Sequence, residues 1–221
     1  MKKTNSIKKL LASMAIVSSA ALTFAPATTH AGEVSYNAAV SNMYLWRGQN
    51  ISSPSPAVFG GIDYAADSGF YVGTWTSSEG AAGSTEFDLY GGFAGGMGDF
   101  GYDIGYAAYL YPDVNGKEFV NSDASFLSEY IVGLSFKDLS ATFFLYTEEV
   151  SDMYTSIDYS VGKFGLHAGM YKFKASGSDY TDFNVSYAAT DSLSFTLSKA
   201  QGDGVKGAEN PMIQVTYALP I

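Results

Sequence analysis

The stretch TEFDLYGGFAGGMGDFGYDIGYAAYLY, residues 85–111, decides the fold. Phe87, Leu89, Gly91 and Phe93 alternate with Glu86, Asp88, Tyr90 and Gly92, so an extended strand through them is greasy on one face and acidic on the other. Gly95, Gly96, Met97, Gly98 and Asp99 then break the run. Beyond them Phe100, Tyr102, Ile104, Tyr106, Ala108 and Leu110 alternate with Gly101, Asp103, Gly105, Ala107, Tyr109 and Tyr111, a second strand of the same kind. The two make a hairpin with a short turn. In water it would hide its aromatic face in a sandwich core, yet each strand runs about ten residues, the length that crosses a bilayer when tilted.

The same unit recurs in both directions. Upstream, a first strand starts at Val34 and is expected to continue through Tyr44, Leu45, Trp46 and Arg47 to Gly48, with Tyr44 and Trp46 outward and Arg47 inward. Residues 49–55 read as a polar loop. A second strand follows Pro56 with Val58, Ile62 and Tyr64 opposing Gly61 and Asp63, and a third runs over residues 70–76. Downstream, strands are expected around Tyr130–Phe136, Ala141–Leu145, Thr155–Val161, Leu166–Met170, Phe183–Tyr187, Leu193–Leu197 and Ile213–Ile221. The seventh carries aromatics on both faces, so its orientation stays open.

The count is about twelve, an even number, and no helix is required. Tight turns follow strands two, four, six, eight and ten, on the end that also holds both termini. This is the pattern of a transmembrane antiparallel up-and-down β-barrel with periplasmic termini and longer loops outside. A soluble sandwich or lipocalin-like barrel also alternates, but here the polar face is small and wet and the apolar face is mostly Phe, Tyr, Leu, Val and Ile. A closed barrel turns such a face to lipid and leaves no backbone unpaired in hydrocarbon. Tyr44, Trp46, Tyr64 and Tyr187 are expected in the interfacial girdles. Tyr217, Leu219 and Ile221 keep the alternation of a barrel's closing strand.

Lys2, Lys3, Lys8 and Lys9, an apolar run over residues 10–22 and Thr29-His30-Ala31 form a secretory signal peptide with cleavage expected after Ala31. Residues 32–221 then make one domain. Its loss takes 4 of the 12 basic residues and none of the 22 acids, so the mature charge is near −14, from 8 against 22. Nucleic acid is a poor partner for that surface. The chain has no cysteine, so no disulfide supports the exported form.

With the strands placed, the sequence resembles the TorF-type porin family of proteobacterial outer-membrane proteins. The likeness sits in Asn42-Met43-Tyr44-Leu45-Trp46-Arg47-Gly48, Pro56-Ala57-Val58 with Gly60-Gly61-Ile62-Asp63-Tyr64, residues 69–75, and Asp88-Leu89-Tyr90-Gly91-Gly92, continuing to Gly105-Tyr106 and Tyr111-Pro112. It implies a porin-like role in the outer membrane, among lipid and lipopolysaccharide, and brings neither a substrate nor catalytic residues.

By parity Asp63, Glu86, Asp88, Asp103, Glu129, Asp158, His167 and Asp182 face inward with Arg47, the only arginine in the chain. Charges inside a barrel line water or pair with each other. An acidic bore concentrates cations, so the expectation is a narrow channel for small hydrophilic solutes or cations. The alternative is a plugged, structural or adhesive barrel whose carboxylates bond to Ser, Tyr and Arg47. Arg47 reads as a brace between carboxylates or as a solute clamp. His167, the one histidine left after cleavage, has no nucleophile motif beside it, so neither an enzyme nor a zinc site is expected and no cofactor is implied. The acidic loops fit no EF-hand spacing.

Overall fold

The computed structural model describes residues 32–79, 84–111, 125–147, 152–174, 177–207 and 209–221; the expected signal peptide lies outside them. Strands β1 (Glu33–Ser41), β4 (Ala57–Ala65), β5 (Phe70–Glu79), β6 (Ser84–Met97), β7 (Phe100–Tyr111), β8 (Ser125–Phe136), β9 (Leu139–Tyr146), β10 (Met153–Val161), β11 (Phe164–Lys172), β12 (Tyr180–Ala188), β13 (Leu193–Gly202) and β14 (Met212–Ala218) form a closed antiparallel barrel. The twelve strands and five tight turns are those expected. Each strand is hydrogen-bonded to its chain neighbour, and β14 returns to β1.

Closure rests on a short ladder, Ala39 opposite Ala218, Val40 opposite Tyr217 and Ser41 opposite Thr216. Asn42 lengthens it with its side chain: Nδ2 donates to the Ile213 carbonyl at 3.0 Å, and Oδ1 accepts from the Val215 amide at 2.8 Å. At the other end the Leu219 amide donates to the Ala38 carbonyl at 2.8 Å. The seam is therefore held from Ala38 to Asn42 on the β1 side, while residues 33–37 of β1 pair with β4 alone.

Outside, the apolar belt is complete around the sheet. Tyr36, Val58, Ile104, Tyr130, Ile157, Phe183, Leu197 and Ile213 all point away from the interior, with Tyr36 at 63% and Ile104 at 62% exposed to the surrounding medium. Tyr64 and Tyr187 are outward and exposed, as expected of girdle residues. The open orientation of β9 is settled: Leu139 is outward, while Ser140 and Phe144 are buried inside.

The first strand does not run to Gly48 but ends at Ser41, and residues 42–56 fold into the lumen. There β2 (Leu45–Trp46) and β3 (Gln49–Asn50) pair as a miniature hairpin. Its two turn residues, Arg47 (φ 45°) and Gly48 (φ 76°), both have positive φ, which the twist of a two-residue hairpin requires. Tyr44, 2% exposed, packs edge-on against Phe59 at 5.6 Å rather than facing lipid, and Trp46 lies near Tyr171 at 6.3 Å. Neither belongs to a girdle. A short 3₁₀ turn, Asp203–Val205, lies in the stretch read as a plain loop and buries Val205 among the interior residues.

Candidate functional site

Two regions make up the interior. Toward the turn end, inward positions are small and polar: Ser135, Ser140, Ser160, Gly165, Ser186, Ser194 and Thr196. Ser35 and Asn37 face inward on β1 and are exposed, below the stretch of β1 that pairs with β14. Toward the loop end the hairpin fills the space, against an inner wall of Phe144, Tyr154, Tyr171 and Tyr180. That wall departs from the small, wet inner face expected. Large rings fit because neighbouring positions give way, as where Tyr154 lies across Gly169, which leaves no room for a Cβ.

The carboxylates divide between the two regions. Asp63, Asp103 and Asp158 are only partly buried. Asp103 accepts from the Tyr71 hydroxyl at 2.8 Å, and Asp63 from the Tyr90 hydroxyl and from Asn37 Nδ2. Glu86, Asp88, Glu129 and Asp182 are buried, and Glu86 accepts from the Tyr111 hydroxyl. All eight inward acids and bases assigned by parity therefore do face the interior. Arg47 also reaches it, but from the tip of the hairpin instead of from a strand.

At that tip the guanidinium makes a two-point ion pair with Glu129, Nη1 to Oε1 and Nη2 to Oε2, both 2.8 Å. The Arg47 side chain is 7% exposed and that of Glu129 0%. Tyr109 donates to Glu129 Oε2 at 2.8 Å, and Nη1 reaches the Tyr146 hydroxyl at 3.5 Å. The rings of Trp46, Phe144 and Tyr154 each have their centroid 4.6 Å from Cζ, and Tyr171 follows at 5.5 Å. Aromatic faces attract a cation, and the planar fork matches a carboxylate in two places. Gln49 adds a bond from Nε2 to the Tyr180 hydroxyl at 2.9 Å, and the base of the hairpin is tied by Gln214 Nε2 to the Met43 carbonyl at 3.0 Å.

Nearby, His167 stands between two acids. Its Nδ1 is 2.7 Å from Asp158 Oδ1 and its Nε2 is 3.0 Å from Asp182 Oδ1, so each ring nitrogen faces a carboxylate. Tyr154 closes the group, 2.9 Å from Nε2 and donating to Asp182 Oδ2 at 3.0 Å. Sequence parity placed His167, Asp158 and Asp182 inward; their joining was invisible because it needs the β10–β11–β12 register. In the loop beyond β11, Asp179 bonds Lys172 and the Phe173 amide, which holds its carboxyl below the ordinary value.

A closed antiparallel barrel with an apolar belt outside and carboxylates inside defines an outer-membrane type of β-barrel. Residues 25–200 match the family described as bacterial protein of unknown function (Gcw_chp), and the chain belongs to that family. Among curated proteins no match is found. Among solved structures the chain is similar to KdgM porin at TM-score 0.50 and 11% identity, over 86% of this chain and 99% of that one. It is also similar to KdgM porin in complex with disordered oligogalacturonate (TM-score 0.49, 9% identity, 86% and 99%). The Escherichia coli outer membrane phospholipase A matches at 0.43 and 12% identity, over 84% and 92%. Identities this low show the barrel fold alone.

Proposed function

We propose that the mature chain, residues 32–221 after loss of its leader, is an outer-membrane channel of the porin type, whose solutes are small and hydrophilic and whose bore prefers cations. The observation that carries this reading is the charge balance of the turn-end half. Asp63, Asp103 and Asp158 are partly exposed there, while Arg47 is neutralised against Glu129 away from water. A low-dielectric wall focuses such a field on the bore, so cations gather and anions are turned away. The TorF-type resemblance and contact with lipid and lipopolysaccharide belong to the same reading.

In this channel residues 42–56 form the constriction. Their burial within the loop-end half also favours a second reading, a structural barrel closed by its own hairpin. Recordings in planar bilayers under a potassium chloride gradient separate the two. The channel reading expects a small cation-selective conductance, with the reversal potential moving toward zero when Asp63, Asp103 and Asp158 are changed together to Asn. Anion selectivity overturns it, as does silence from both the native barrel and one in which residues 43–55 are replaced by a short Gly-Ser loop.

A further inference from the structure

We infer that the barrel wall around Glu129 is a binding site for organic cations of the guanidinium class, occupied in this structure by the chain's own Arg47. The wall supplies nearly every contact. Glu129 and Tyr109 stand on β8 and β7, Phe144 on β9 and Tyr154 on β10; only Trp46 comes from the hairpin. Those strands are fixed by their own ladders, with Glu129 opposite Ala107 and Tyr146, and Tyr154 opposite Phe144. The pocket therefore keeps its shape without the hairpin.

Its chemistry selects the class. Glu129 presents both oxygens side by side, as the two 2.8 Å bonds to Arg47 show, and Tyr109 fixes its orientation. A planar fork satisfies both oxygens, while an ammonium meets them as a point charge. Phe144 and Tyr154, each 4.6 Å from the cation, favour a weakly hydrated flat ion over a potassium ion that must shed water. A fully buried carboxylate without its partner is costly, so withdrawal of Arg47 leaves a site that attracts a replacement. The inference gives a solute class to the channel proposed above and rests on that reading for transport, whereas binding needs no conduction.

The test uses Arg47→Ala barrels refolded in detergent, with closure checked by heat-dependent gel migration. Ethylguanidinium, ethylammonium and potassium chlorides are titrated calorimetrically at matched ionic strength. Ethylguanidinium is expected to bind Arg47→Ala at least tenfold more tightly than ethylammonium, and at least tenfold more tightly than it binds the native barrel. The binding is expected to vanish in Arg47→Ala/Glu129→Gln. Absence of binding by the closed variant, equal binding by the native barrel, or survival in the double variant overturns the site. If Arg47→Ala does not close alone, refolding yield becomes the readout: rescue by ethylguanidinium but not ethylammonium supports the site, and equal or absent rescue overturns it. A positive titration with silent bilayers removes transport and keeps the site; a conducting barrel without binding does the reverse.

Discussion

Gly48, at the tip of the lumenal hairpin, lies so close to Asp182 of β12 that a Cβ on Gly48 would overlap the Asp182 Cβ and come within 3.1 Å of the Ala200 Cβ. This contact sets how far the hairpin crosses the bore, and it makes the glycine doubly necessary because its φ is 76°.

Gly48→Ala is therefore expected to lift the tip off β12 and strain the turn, at a cost of about 1–3 kcal/mol for the overpacking. Arg47 is the only arginine in the chain, so tryptic cleavage after it reports the tip's exposure by mass spectrometry. Native protein should be protected there and Gly48→Ala cut at least tenfold faster. Equal protection would mean that the tip does not depend on this fit.

Glu129→Gln leaves the Arg47 guanidinium in place without its anion. Breaking a buried pair from one side costs about 3–5 kcal/mol, and here the aromatic rings around Cζ retain part of the attraction. The expected outcome is a lower urea midpoint in detergent together with exposure of Arg47 to trypsin. Unchanged values for both would remove the ion pair as the lock.

At the seam, Asn42→Ala removes one donor and one acceptor bond to β14. Each net hydrogen bond contributes about 0.5–1.5 kcal/mol, so a loss of about 1–3 kcal/mol is expected, localised at closure. The temperature at which the folded band disappears on a heat-modifiability gel should fall. Asn42→Asp, which keeps the acceptor and lacks the donor, should fall between the two.

Ile104 tests the outer face. It is outward on β7 and opposite Val132 on β8. An Ile104→Arg side chain would stand in hydrocarbon, with an expected loss of about 2–4 kcal/mol when folding into vesicles of fluid phosphatidylcholine. A change near zero would mean that this face does not meet acyl chains.

Strand number, turn positions, closure parity and the inward set of acids were legible in the sequence because each depends on a period of two and on local turn chemistry. Glu86 and Asp88 alternate with Phe87 and Leu89 whatever lies across the barrel, so alternation alone assigns their faces. The same rule misled at Tyr44 and Trp46. Extending the parity of Val34, Tyr36 and Val40 puts both rings outward although Asn42 shares that face and Met43 and Leu45 stand on the other, and residues in a plug and residues at a lipid interface are both aromatic. The two inward aromatics of β9, Phe144 and Tyr146, carried the missing signal: rings on the wet side of a barrel strand need something apolar or cationic to cover them, and here the hairpin brings Arg47 to both.

By itself, the sequence determined a twelve-stranded barrel with a greasy exterior and an acidic interior, since local periodicity and turns specify faces and connections. Only the tertiary structure decided that residues 42–56 leave the wall and that Arg47 meets Glu129, 82 positions away in the chain. Contacts across a lumen depend on the barrel's closure, and no local pattern encodes which side chains will face one another over that gap.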